Sequence, residues 1–198
     1  MNITLPDGSI RKLESGSTGL DLANSIGPGL AKAAIAIEVN GSQKDLCDPI
    51  MEDSEVSIIT IDSEEGLEIM RHTLTAQVLA RAVKNLYPDT KLAIGPTITD
   101  GFYYDFEFKK PISTEDLEDI EKEMKKVIAT NSAITKSLHT KEDAIKVFKS
   151  EKEPYKESII EDSDQEDNFQ LYYQEDSKFV DLCRGPHLPN LKHIGSFK

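Results

Sequence analysis

The stretch EEGLEIMRHTLTAQVLARAVKNLYP, residues 64–88, decides how the rest of the chain is divided. Leu67, Met70, Leu74 and Val78 recur at helical spacing and the pattern runs on to Tyr87. Pro88 then stops it, because a proline pushes the residue before it out of the helical region. The stretch predicts one long helix carrying His72, Thr73 and Gln77. Short β-like runs precede it, and strands and shorter helices follow. The chain therefore reads as α+β, with the long helix packed across a curved antiparallel sheet.

Upstream, MNITLPDGSIRKL offers two strands around Pro6-Asp7-Gly8, where Asp-Gly favours a tight hairpin because both residues tolerate positive φ. STGLDLANSIG predicts a helix with Ser17 or Thr18 as N-cap and Gly27 as its end. AAIAIEVNG and EVSIIT are rich in Ile and Val and read as strands, with Asn40-Gly41 as a second turn. The order β-β-α-β-β predicts a small mixed sheet with one helix across it, over residues 1–62.

Downstream, residues 63–198 form the second domain. In ITDGFYYDFEF, Phe102, Tyr104, Phe106 and Phe108 alternate with Tyr103, Asp105 and Glu107, which predicts a strand with one apolar face. STEDLEDIEKEMKKVI has Ser113 or Thr114 as cap, acids in its first turn and lysines in its last. Leu117, Ile120, Met124 and Val127 lie on one stripe of this helix. Thr140 caps a further helix containing Ala144, Val147 and Phe148. EDSDQED, residues 161–167, holds five acids in seven positions and reads as a solvated loop. FQLYYQ and KFVDL are two last strands.

Composition narrows the function classes. The chain is 38% hydrophobic and 30% charged, with no apolar run near the roughly 20 residues of a membrane span. The N-terminus has no targeting character, so cytoplasm is the expected compartment. The two cysteines, Cys47 and Cys183, make no disulfide framework. A formal charge of −13 argues against non-specific binding to phosphate backbones, so any nucleic-acid contact must be local.

The chemistry concentrates in DLCRGPH, residues 181–187. Asp181, Cys183 and His187 can polarise, bind metal, or act as nucleophile and base, just beyond a strand end. Gly185 and Pro186 force a turn there, so that Cys183 and His187 can face one pocket. As a bland alternative, cysteine is often a small core residue. Zinc needs at least three protein ligands at a catalytic site, so a metal-dependent hydrolase would have to recruit His72 as well.

Read together, ITLPDGS, SIGPGLAKA, EEGLEI, AIGPTITDGFYYDFEF, PYK and DLCRGPH resemble the N-terminal region of bacterial threonyl-tRNA synthetase. The resemblance covers the whole chain. It implies a ubiquitin-like β-grasp domain, the TGS domain, followed by an α+β editing domain. The implied activity is hydrolysis of the ester that links misattached serine to the tRNA for threonine. Such a second site is needed because one missing methylene-sized group gives a synthetic site only about 1–3 kcal/mol of discrimination. The implied partners are the acceptor end of that tRNA and the aminoacylation core of the same synthetase, with no membrane. The resemblance also carries over residues. Cys183 and His187 are half of the family's signature, Asp181 anchors the seryl amino group, and Lys156 of PYK holds the attacking water or orients the carbonyl. Gly95, Pro96 and Tyr104 line the pocket wall. No cofactor is expected in this chain. ATP and zinc are implied for the synthetase core, for which the chain is expected to hold no segment, so that it does not itself charge tRNA.

One departure stands out. The other half of the signature is His-x-x-x-His on the long helix, and here it is not intact. Counting back from Pro88, the two positions hold Thr73 and Gln77; counting forward from EEGLEI, they hold His72 and Ala76. One extra residue lies between these anchors. In a regular helix it would turn the remainder by about 100°, unless a local bulge absorbs it. Two readings follow: an editing hydrolase in which His72 or Gln77 positions water, or an editing-inactive module that helps a synthetase hold its tRNA.

Overall fold

The computed structural model describes residues 1–98 and 100–197. The chain forms two compact units: Met1–Met70 with Gly185–Pro189, and Arg71–Arg184 with the residues from Asn190 onward.

The first unit is a five-stranded mixed sheet. Strands β1 (Asn2–Thr4) and β2 (Ile10–Lys12) pair antiparallel around the expected turn, with Ile3 opposite Arg11. Helix α1 (Gly19–Ile26) opens on a capping box between Thr18 and Asp21 and closes at Gly27. A short helix α2 (Pro28–Ala33) follows, started by Pro28 at its first position. Strand β3 (Ala34–Val39) turns through Asn40 and Gly41, both at positive φ, into β4 (Ser42–Asp45). β5 (Ser54–Thr60) pairs antiparallel with β3 and parallel with β1, giving the order β2-β1-β5-β3-β4. Ile3, Leu22, Ile37, Leu46 and Val56 close the core beneath α1. The sheet is larger than the four strands expected, and there are two helices. α2 and β4 escape a periodicity reading because PGLAKA has no buried residue and three of the four residues of SQKD are exposed.

The long helix is continuous from Glu64 to Leu86, but its middle is wound differently. Helix α3 (Glu64–Thr73) passes into a π-helical turn, Leu74–Leu79, and then into α4 (Ala80–Leu86). Thr73, Leu79 and Ala80 all keep right-handed helical dihedrals, and the Ala80 N–H donates to the Thr75 carbonyl, a span of five residues. After it come β6 (Lys91–Leu92), β7 (Thr97–Ile98), β8 (Gly101–Phe102) and β9 (Phe106–Glu107). The single strand expected over ITDGFYYDFEF is thus two short pieces, β8 paired with β7 and β9 paired with β6. The alternation survives the break: Phe102, Phe106 and Phe108 pack on the core while Tyr103 is exposed.

Helix α5 (Thr114–Ala129) is capped by Ser113, one of the two expected candidates, in a capping box with Asp116, and Ile120, Met124 and Val127 meet Leu74, Val78 and Val83 of the long helix. Leu117, expected on this stripe, is 53% exposed; the buried contacts of α5 begin one turn later, at Ile120. Strand β10 (Ile134–His139), helices α6 (Lys141–Glu151) and α7 (Pro154–Glu161), and strands β11 (Phe169–Gln174) and β12 (Val180–Leu182) complete the unit. The three strands form an antiparallel sheet in the order β10-β11-β12, with Tyr172 opposite Asp181. Asp181 lies within β12, inside the strand expected over KFVDL.

The period of two in FQLYYQ gives this sheet two unlike faces. Phe169, Leu171 and Val180 pack with Ala144 and Phe148 of α6 and Ile160 of α7. Gln170, Tyr172, Gln174 and Asp181 occupy the opposite face, where Gln174 bonds side chains of the long helix.

Candidate functional site

The π turn holds one more residue than an α-helical turn, so the segments before and after it keep their own registers. Consequently His72 and Gln77 both reach the polar face of the sheet. His72 Nε2 lies 2.8 Å from Cys183 Sγ, and the Gln174 amide donates to Gln77 Oε1 at 3.2 Å and to the Gln77 carbonyl at 2.8 Å. Thr73, the alternative site position, is fully buried, as is Gln77.

A second polar cluster of the same unit comes from α7 and β12. Lys156 Nζ lies 2.8 Å from Asp181 Oδ1, with 5% and 3% of the side chains exposed, so this is a buried ion pair. The contact is ionic in character, since Asp181 Oδ1 lacks the angle of a directed hydrogen bond. The Lys156 ammonium also sits 5.9 Å from the centroid of the Tyr104 ring, a cation–π distance. Tyr104 stacks on Phe106 at 4.5 Å. Burial raises the pKa of its phenol far above the ordinary value, and the nearby Asp181 and Glu153 carboxylates add to this, so the hydroxyl keeps its proton.

Gly95 makes this packing possible. A Cβ there would overlap the Tyr104 ring and come within 2.8 Å of Thr75 Cγ2, on the π turn itself. Next to it, the half-buried Pro96 accepts the Tyr103 N–H at 3.3 Å. The expected wall residues Gly95 and Tyr104 therefore meet, beside the π turn.

Three supporting residues have no counterpart in the sequence reading. Glu153, at the start of α7, is 3% exposed and accepts from Lys84 at 2.6 Å and from the Leu92 N–H at 2.8 Å, which ties the helix carrying Lys156 to α4 and β6. Arg81 donates to Gln174 Oε1 at 2.7 Å and forks onto Asp176 at 2.8 and 2.9 Å. Its guanidinium holds the Asp176 carboxyl down at about 2. The signal for Gln174 was present, since Gln170 and Gln174 fall on the non-apolar face of an otherwise apolar strand. Arg81 and Glu153 show no signal, because an isolated charge in a sequence reads as surface.

Lys156 and Cys183 open on a pocket of about 570 Å³ whose walls include Ile94, Ile159, Phe169 and Arg184. That size suits a small polar ligand with part of a larger one. His187 belongs to the first unit, where it is 2% exposed and its backbone N–H donates to Asp45 at 2.9 Å. Among the described residues no helix is long and apolar enough to cross a membrane.

Comparison with known proteins agrees with this architecture. Residues 1–60 match the TGS domain, and residues 170–198 match the threonyl and alanyl tRNA synthetase second additional domain. Over all 198 residues the chain is 47% identical to a threonine--tRNA ligase of Acetivibrio thermocellus. The match takes in 100% of this chain and 31% of that protein, its N-terminal part. The chain thus matches the two domain models that its motifs resemble, in the same order, and it spans about a third of its relative's length.

Proposed function

We propose that the chain is the proofreading part of a threonine--tRNA ligase and hydrolyses the ester between serine and the 3′-terminal ribose of the threonine tRNA. The observation that carries this reading is the convergence of His72 on Cys183 and of Lys156 on Asp181.

The reaction needs a water, a base and a donor. An imidazole can act as a general base, so His72 takes a proton from the attacking water. The water oxygen bonds to the ester carbonyl carbon, and the carbonyl electrons move onto oxygen. As the tetrahedral species collapses, the carbon–oxygen bond to the ribose breaks and the proton returns to the ribose oxygen. Serine leaves as its carboxylate, releasing a second proton to solvent. Lys156, held in its ion pair, orients the carbonyl, and Asp181 receives the seryl amino group. Cys183 fixes the imidazole of His72. The Gly95–Tyr104 wall bounds the space for the acyl side chain, which must admit serine and exclude the extra methyl of threonine.

The test is deacylation of the threonine tRNA charged with serine, by the chain and by its His72→Ala variant. A general base contributes about 10²–10⁴-fold, so the variant should lose at least a hundredfold. Gln77, which cannot titrate, favours a second reading in which hydrolysis is lost and the domain only grips tRNA. That reading predicts tRNA binding by both proteins and no hydrolysis above buffer by either.

A further inference from the structure

Glu153 is a buried acid that the proposed reaction leaves unused, and its place in the fold gives it a task. It stands at the N-cap of α7, where a side chain ordinarily accepts from the N–H groups of its own first turn. Among the described residues it makes no such bond. Its two oxygens go elsewhere: Oε1 accepts from Lys84 Nζ at 2.6 Å, and Oε2 from the Leu92 N–H at 2.8 Å. With 3% of the residue exposed, the carboxylate is out of water, and these two bonds offset its burial. Lys84 is equally committed. It also donates to the Pro88 and Thr90 carbonyls at 3.1 and 3.0 Å, so the three protons of its ammonium join the end of α4 to α7.

Two parts of the proposed site hang from this carboxylate. Lys156 follows Glu153 by three residues on the same face of α7, about 4.5 Å along the axis. Both are buried, and Lys156 carries the ion pair with Asp181. On the other side, Leu92 leads through Ala93 and Ile94, both hydrogen-bonded to Asp105, to Gly95, about 10 Å further along extended chain. Gly95 packs on the Tyr104 ring. Burial and the Asp181 charge raise the pKa of that phenol most, and the nearby Glu153 carboxylate adds to them. One carboxylate therefore spaces the group that orients the acyl carbonyl from the wall that bounds the acyl side chain. We infer that Glu153, with Lys84, is a positioning residue for the choice between serine and threonine: it sets the gap into which one extra methyl must not fit. The inference rests on the proposed ester hydrolysis and concerns its selectivity.

The experiment measures kcat/KM for the seryl and threonyl esters of the threonine tRNA, with the parent chain and with Glu153→Gln, Lys84→Arg and Ser113→Ala. An amide offers one acceptor oxygen where the carboxylate offers two, so in Glu153→Gln either Lys84 or the Leu92 N–H loses its partner. Lys84→Arg keeps the charge and exchanges a compact ammonium for a planar fork, which changes the spacing and spares the fold. Ser113→Ala is the control: it removes the cap of α5, whose bonds run to Asp116 of the same helix, and lowers stability there. Partial unfolding takes active protein from both reactions alike, so the ratio of the two kcat/KM values is blind to it. One methyl supplies about 10–200-fold, and the ratio should fall at least about threefold in Glu153→Gln and in Lys84→Arg while Ser113→Ala keeps it. A Glu153→Gln ratio within about twofold of the parent's would overturn the inference and leave ester hydrolysis intact, as would an equal fall in Ser113→Ala. Should Glu153→Gln fail to fold by circular dichroism, Lys84→Arg decides by the same criterion. A parent that hydrolyses neither ester removes the proposed function and the inference with it.

Discussion

Deleting Ala76 from the buried middle of the long helix should leave the protein folded. In a regular helix, loss of one residue turns everything after it by about 100°. Such a turn would take Val78, Ala82 and Val83 off the core they share with α5. It would also pull Arg81 from Gln174 and Asp176. Burial of one aliphatic side chain of the size of valine is worth about 1.5–3 kcal/mol. A stranded buried charge costs about 3–5 kcal/mol. Together these match the whole stability of an ordinary domain, about 5–15 kcal/mol. The π turn changes the expectation. The bond from the Ala80 N–H to the Thr75 carbonyl spans five residues, and removing Ala76 makes it a four-residue α-helical bond. Both flanks keep their faces, and the loss is confined to one buried methyl, about 1 kcal/mol. Urea unfolding followed by circular dichroism reads the difference, with an unchanged m-value expected. A loss above 3 kcal/mol, or a transition that is no longer cooperative, would refute the assignment of the π turn as the place where the insertion is absorbed.

Other substitutions test the site piece by piece. Lys156→Met leaves the Asp181 carboxylate buried without its cation and should cost about 3–5 kcal/mol in thermal or urea unfolding, most of it recovered in the Lys156→Met/Asp181→Leu double variant. Gly95→Ala drives a methyl into the Tyr104 ring and Thr75, so unfolding should show a loss of about 1–3 kcal/mol. Asp176→Asn probes the Arg81 network through pH. The folded-state carboxyl is depressed from 3.8 to about 2, so its contribution is present above pH 3.8 and lost as pH falls through 2. With the Asp176 side chain 33% exposed and solvent screening allowed for, the variant should be destabilised by about 1–2 kcal/mol at neutral pH, with the gap closing near pH 2.

Much of this architecture is written in local signals. The Asp-Gly and Asn-Gly turns, the Thr18 and Ser113 capping boxes and the stop at Pro88 all fall where the sequence puts them, because each depends on a few adjacent residues. Elements without such signals, α2, β4 and β10, escape for the same reason. β10 exists by pairing with β11, thirty-five residues further on, from Ile134 opposite Gln174 to His139 opposite Phe169. At the site, the mismatch between His72 and Gln77 was legible as an extra residue, and a bulge was one of its two solutions. The choice between them lay in tertiary contacts, since Leu74 and Val78 must face α5 while His72 meets Cys183. Gln174 and Arg81 were hidden because a polar residue becomes part of a site only through a partner distant in sequence.

The most direct test of the account is the ratio of kcat/KM for seryl and threonyl esters of the same threonine tRNA, measured with this chain at one salt concentration. The account predicts hydrolysis of the seryl ester well above buffer and a ratio of at least about ten in favour of serine, the lower end of what one methyl group can supply. Equal rates for the two esters, or no hydrolysis of either, would contradict it.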